Sequence, residues 1–293
     1  MHNYLRAIGF NDYFESEYEL DLFLEELFHT YQQKKAVHDE DAKDTFLELS
    51  KSFGPNMGIR VCGEMDDNGF HRRYYYPYLT GTGDTTDADL TMEKKVNGEC
   101  YAGMCEDARL GISVIFFLQN PADVRREASV NHLKGNKITT TLSGLAASGT
   151  ILLPKKEVRT GQDGQTEYYR KHEKLVSAAR NGNQEAIESL TLEDMDTYAM
   201  ISRRIIHEDI LTIVDSYFMP YGIECDQYQV LGTILFCTKV YNSLTREAIY
   251  QMTIECNGLQ FDICINAADL LGEPETGRRF KGNIWLQGRV NFA

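Results

Sequence analysis

The sequence predicts an α+β fold of two tandem lobes, each with helices packed on a mostly antiparallel sheet. Three observations predict it. An amphipathic helical stripe opens the chain, strand-like segments fill both halves, and a block of sequence occurs twice. The block reads Phe46-Leu47-Glu48-Leu49-Ser50-Lys51-Ser52-Phe53, then Gly58-Ile59. It returns as Ile210-Leu211-Thr212-Ile213-Val214-Asp215-Ser216-Tyr217, then Gly222-Ile223, at the same spacing. Asn120-Pro121-Ala122-Asp123-Val124 is echoed by Asn266-Ala267-Ala268-Asp269-Leu270. At 293 residues the chain exceeds a usual single domain. The expectation is a first lobe over 1–160 and a second over 161–293, read as a shortened duplicate. Chance matching of common residue types is the rival explanation, because only the first block keeps its spacing.

The first helix begins at a capping box, Ser16-Glu17-Tyr18-Glu19. Leu20, Phe23, Leu24, Leu27, Phe28 and Tyr31 follow at helical spacing and form its core stripe. A second helix is expected over 40–52, stopped by Gly54-Pro55. Asn68-Gly69 then suits a two-residue hairpin turn that sets Glu64 opposite Arg73 and Asp66 opposite His71. Tyr74, Tyr76 and Tyr78 alternate along the return strand, either as a stacking platform for nucleic-acid bases or, in so acidic a chain, as a half-buried sheet face, the simpler reading. Residues 99–106 and 111–119 read as a strand pair. Residues 137–153 add one or two strands, and 154–172 a charged linker or exposed hairpin. Helical signals resume from Thr191-Leu192-Glu193-Asp194 and run to Tyr217. The clearest hairpin turns at Asn257-Gly258. It pairs Cys256 with Leu259, Ile254 with Phe261, Met252 with Ile263 and Tyr250 with Ile265, with all eight on one face. A last strand runs from Asn283 to Phe292.

Composition excludes several functions. The chain carries 30 Lys and Arg against 44 Asp and Glu, a formal charge of −14. Such a surface repels phosphate backbones and anionic membranes, so neither nucleic acid nor membrane is an expected partner. No apolar run is long enough to span a bilayer, and the first residues lack the apolar run of a secretory leader. Seven irregularly spaced cysteines suit a reducing cytoplasm. An apolar content of 42% is ample for real cores.

Candidate chemistry is sparse. Asp123 and Asp269 each follow a strand inside the echoed turn. They are either facing acids across a lobe interface or local caps of their turns, and the cap is the simpler reading. The glycine-rich Leu142–Thr150 segment holds Ser143 and Ser148, but it is neither a nucleophile elbow nor a phosphate loop. Cys100, Cys105 and the acids beside them lack zinc spacing. His207-Glu208-Asp209 reads as a helix restart. The most unusual local composition, from Gly277 to Arg289, holds Arg278, Arg279, Lys281 and the only tryptophan, Trp285. It is either a binding surface for an anion or a partner protein, or an edge strand defended by charge.

Three further segments carry a resemblance. They are Asp196-Thr197-Tyr198-Ala199-Met200-Ile201-Ser202-Arg203-Arg204, Phe218-Met219-Pro220-Tyr221-Gly222-Ile223-Glu224-Cys225 and Arg278-Arg279-Phe280-Lys281-Gly282-Asn283-Ile284-Trp285. Together they resemble a family of uncharacterised proteins from clostridial and related gut bacteria, classed as a domain of unknown function. The resemblance implies a bacterial, cytoplasmic origin and assigns no activity or site. The expected function is a cytoplasmic binding or assembly protein without catalysis, cofactor or metal, taking a protein partner or a small anionic ligand. Its oligomeric state is left open. The alternative is an enzyme acting on a small polar or anionic substrate in the inter-lobe groove, with Asp123, Asp269 and the Arg278–Lys281 cluster.

Overall fold

The computed structural model describes residues 3–38, 44–88, 90–94, 100–107, 109–110, 112–129, 138–154 and 214–292, with scattered positions between 175 and 211. The charged stretch after 154, most of the helical signal from 191 and His207-Glu208-Asp209 fall outside the described residues. The fold is mostly β, with two sheets of 4 and 10 strands and few helices. This overturns the expected α+β lobes with helices layered on each sheet.

The smaller sheet is an antiparallel meander of β1 (Gln33–His38), β2 (Thr45–Gly54), β3 (Met57–Asp66) and β4 (Gly69–Leu79). Helix α1 (Glu17–Thr30) precedes it, and the Ser16 hydroxyl accepts from the Glu19 amide at its start. The segment expected as a second helix is instead β2. Phe46, Leu47, Glu48, Leu49 and Ser50 are all buried. A strand covered on both faces loses its alternation, so its apolar spacing imitates a helix. Gly54-Pro55 begins the turn into β3 rather than stopping a helix.

The larger sheet contains β5 (Leu90–Lys94), β6 (Tyr101–Asp107), β7 (Ile112–Leu118), β8 (Ile138–Leu152), β9 (Tyr217–Pro220), β10 (Gln227–Tyr241), β11 (Ala248–Cys256), β12 (Leu259–Asn266), β13 (Leu270–Leu271) and β14 (Arg279–Phe292). Five of these form a closed ring. β8 pairs with β12, β12 with β11, β11 with β10, β10 with β14, and β14 returns to β8. Closure leaves this part of the sheet without an edge, and side chains fill the interior of so small a barrel. Val230, Ile254, Ile263, Ile265, Phe280 and Ile284 belong to one buried cluster. β7, β6 and β5 continue from the far half of β14, beginning at Gln287 opposite Phe117. Strands from before and after residue 160 thus share one sheet, and β8 pairs with β14 from Leu152–Arg279 to Ile138–Phe292.

Where both copies of the repeated block are described, their structures differ. Gly58-Ile59 lies inside β3, whereas Gly222-Ile223 lies in the turn between β9 and β10, with Ile223 fully exposed. Among the described residues of the second copy, Tyr217 opens a four-residue edge strand. The duplicated architecture is therefore withdrawn with the α+β class.

A second core joins the sheets. Leu20, Leu24 and Leu27 of α1, Phe53, Ile59 and Val61 of the small sheet, and Leu145 and Trp285 of the barrel belong to one cluster. Beside it runs a buried polar seam. Tyr76 Oη donates to the Gln119 carbonyl at 2.7 Å, Gln119 Nε2 donates to Gln287 Oε1 at 2.6 Å, and Gln287 Nε2 donates to the Pro77 carbonyl at 2.8 Å.

At the end of β6, Asp107 accepts from Arg109 Nε at 2.8 Å and from the Thr86 hydroxyl at 2.6 Å. Burial pushes this carboxyl up, but the bonds from Arg109 and Thr86 outweigh it and hold the group below the ordinary carboxylate range. A depressed folded pKa adds stability above the unfolded value of about 4, and that contribution is lost as pH falls through the folded value. Acid titration of folding stability should therefore show a smaller loss below about pH 4 in Asp107→Asn than in the parent. Parallel curves would contradict this role.

Candidate binding cleft

The barrel wall carries a cleft of about 280 Å³ on its outer face. Its position follows from strand alternation. On β14, Phe280, Gly282, Ile284 and Leu286 are buried, while Lys281 and Asn283 are half-buried. Register then aligns polar side chains across strands. Asn283 sits opposite Ser148 on β8 and Gln229 on β10, and Lys281 sits opposite Thr150. Alternation along β8 after a bulge at Ala147 leaves Ser148, Thr150 and Leu152 all lining the cleft. Gln229 Nε2 donates to Asn283 Oδ1 at 3.2 Å, and the Tyr217 hydroxyl donates to Gln229 Oε1 at 3.1 Å. Asp269, Leu211 and Leu271 complete the wall.

Two of the six residues singled out from sequence meet here, Asp269 and Lys281. Asp269 accepts from Arg6 Nε at 2.7 Å and from Arg6 Nη2. Lys281 has no ion-pair or hydrogen-bond partner among the described residues. Among the described residues it is a free cation, in a protein of formal charge −14.

The other four lie elsewhere. Asp123, in the first turn of α2 (Pro121–Ser129), accepts from Lys35 Nζ on β1 at 2.6 Å. Burial pushes its carboxyl up, and the pairing with Lys35 more than reverses this. Asp269 lines the cleft and Asp123 does not. The echoed asparagines also diverge. Asn266 caps its own turn by accepting from the Ala268 amide at 3.0 Å, whereas Asn120 exchanges two hydrogen bonds with the backbone of Val290.

Arg278 is held by Glu275 at 2.9 Å and by the Glu273 carbonyl at 2.8 Å. Arg279 is buried, donating to the carbonyls of Leu153 at 3.3 Å and Val214 at 3.1 Å. One guanidinium therefore joins the described chain on both sides of residues 155–213. Trp285 is 5% exposed and packs against Phe117 at 4.9 Å and Tyr4 at 5.5 Å. Its ring is a core element, because its position on β14 faces the small sheet.

Sequence reasoning did not assemble Ser148, Thr150, Gln229 and Asn283. Ser148 stood in the glycine-rich segment and Asn283 in the cationic one, but only the β8–β14 register brings them together. Tyr76 and Tyr78 are buried, so the tyrosine row offers no open stacking face. All seven cysteines are free of disulfides. Among the described residues no helix is long and apolar enough to cross a membrane.

No curated protein and no solved structure matches the chain. One family model, described as a domain of unknown function with an E. rectale gene description (DUF3881), matches residues 5–288. With nearly its whole length covered, the chain belongs to this family, as the three resembling segments implied.

Proposed function

We propose that the protein is a non-catalytic binding protein of the bacterial cytoplasm that takes a small polar or anionic ligand in the barrel-wall cleft. The observation that carries this reading is Lys281, an unpaired cation set among the Thr150 and Ser148 hydroxyls and the Asn283 amide. In a cleft bounded by protein, such a cation meets an anion with less screening than on open surface. The cavity of about 280 Å³ is small beside most ligand pockets, which suits a compact metabolite. Seven free cysteines support a reducing compartment.

The enzyme alternative draws less support from the described residues. It called for Asp123 and Asp269 in one groove, whereas each carboxylate has its own cation, Lys35 and Arg6, and only Asp269 lines this cleft. The test is a thermal-shift screen of small anions and matched neutral compounds, repeated on Lys281→Met. A stabilising anion whose effect falls at least fivefold in Lys281→Met is expected. Equal stabilisation of both proteins would place any binding elsewhere.

A further inference from the structure

The cleft is graded from cationic to apolar, and we infer from this grading that its ligand is a small monocarboxylate with an apolar body. The inference rests on the binding reading above. Across three paired strands the order is Leu271, Thr150, Lys281, in direct register. Along β8, alternation sets Ser148, Thr150 and Leu152 on the same wall, again from polar to apolar. Leu211 adds a third leucine to the lining. Leu271 is 70% exposed, so the apolar end has room to accept more apolar surface.

Charge fixes the head group. Among the described residues Lys281 is the cation that lines the cleft, and Arg6 is committed to Asp269. One free cation matches one negative charge. A phosphate dianion would bring a second charge toward the Asp269 carboxylate, which lines the same cleft. The carboxylate takes Lys281 and the Ser148, Thr150 and Asn283 donors. The body of the ligand then covers Leu271, Leu152 and Leu211.

The test is calorimetric titration of the full chain with four probes, hexanoate, acetate, hexan-1-ol and inorganic phosphate. Hexanoate should bind, and acetate about tenfold more weakly, as expected for partial burial of four extra methylenes. Hexan-1-ol and phosphate should be weaker still. Lys281→Met should weaken hexanoate at least tenfold. Leu271→Ser should weaken hexanoate several-fold and leave acetate unchanged. Acetate or phosphate binding as tightly as hexanoate would overturn the apolar-body inference while leaving the cleft an anion site. Saturable heat from no probe would overturn both readings. Hexanoate binding unaffected by Lys281→Met would move the site off the cleft.

Discussion

Arg60→Met should destabilise the fold by about 3–5 kcal/mol, the usual cost of breaking one side of a buried ion pair. Arg60 is 9% exposed on β3, at the seam between the two sheets. Its Nη1 donates to the Gln119 carbonyl and meets Tyr76 Oη at 3.5 Å. Glu48 Oε1 lies 3.7 Å away, and the guanidinium stacks over Tyr78 at 4.5 Å. Burial alone would lower the pKa of this group, but Tyr76 and Glu48 hold it above the ordinary arginine value. Removing it leaves Glu48, itself 4% exposed, without its cation. The double variant Arg60→Met, Glu48→Leu should recover most of the loss, because neither charge then has to be desolvated. Urea unfolding measures all three proteins. A single-variant loss under 1 kcal/mol, or a double variant no better than the single, would contradict this description of the seam.

Two facing glycines of the barrel should respond differently to the same methyl group. Gly149 and Gly282 are directly opposite on β8 and β14, and the Phe280 ring lies over both. A Cβ on Gly149 would meet Phe280 Cε2 at 2.5 Å and Ile265 Cδ1 at 3.0 Å, both side-chain atoms. A Cβ on Gly282 would meet Phe280 and also the Ser148 carbonyl oxygen at 2.6 Å. Each alanine should cost about 1–3 kcal/mol by overpacking. Shrinking the ring with Phe280→Leu should relieve Gly149→Ala substantially. It should relieve Gly282→Ala much less, since a backbone carbonyl in the β8–β14 ladder cannot step aside. Double-mutant cycles give the two coupling energies. Equal rescue of both would mean that the strands are not packed as closely as described.

How far the fold was legible depended on whether a strand kept one wet face. The β11–β12 hairpin did, and every expected pair from Cys256–Leu259 to Tyr250–Ile265 is present. Asn257 and Gly258 both adopt positive φ, as the Asn-Gly turn demands. β2 did not, and it read as a helix. The β3–β4 hairpin shows a subtler displacement. Its loop is Asp67-Asn68, with Asp66 opposite Gly69, because Asp66 Oδ1 accepts from the amides of Asn68 and Gly69. The expected charge pairs form nonetheless, Arg73 with Glu64 at 2.7 Å and His71 with Asp66 at 3.1 Å.

The candidate site was legible only in pieces. Lys281 stood out by charge, yet its neighbours depend on pairings of high sequence separation, above all β8 with β14. The partners of Asp123 and Asp269 were invisible for the same reason. Lys35 and Arg6 come from the start of the chain, and no local spacing announces them. Trp285 looked like an anchor for a partner, but composition cannot tell a ring stacked in a seam from a ring offered to solvent.

The proposed binding site is the outer wall of the barrel at β8 and β14. Amide chemical-shift mapping during hexanoate titration tests it most directly. The expected result is saturable shifts concentrated at Ser148–Thr150, Gln229, Asp269–Leu271 and Lys281–Asn283, and abolished in Lys281→Met. Shifts centred on another surface, or none at saturating probe, would contradict it.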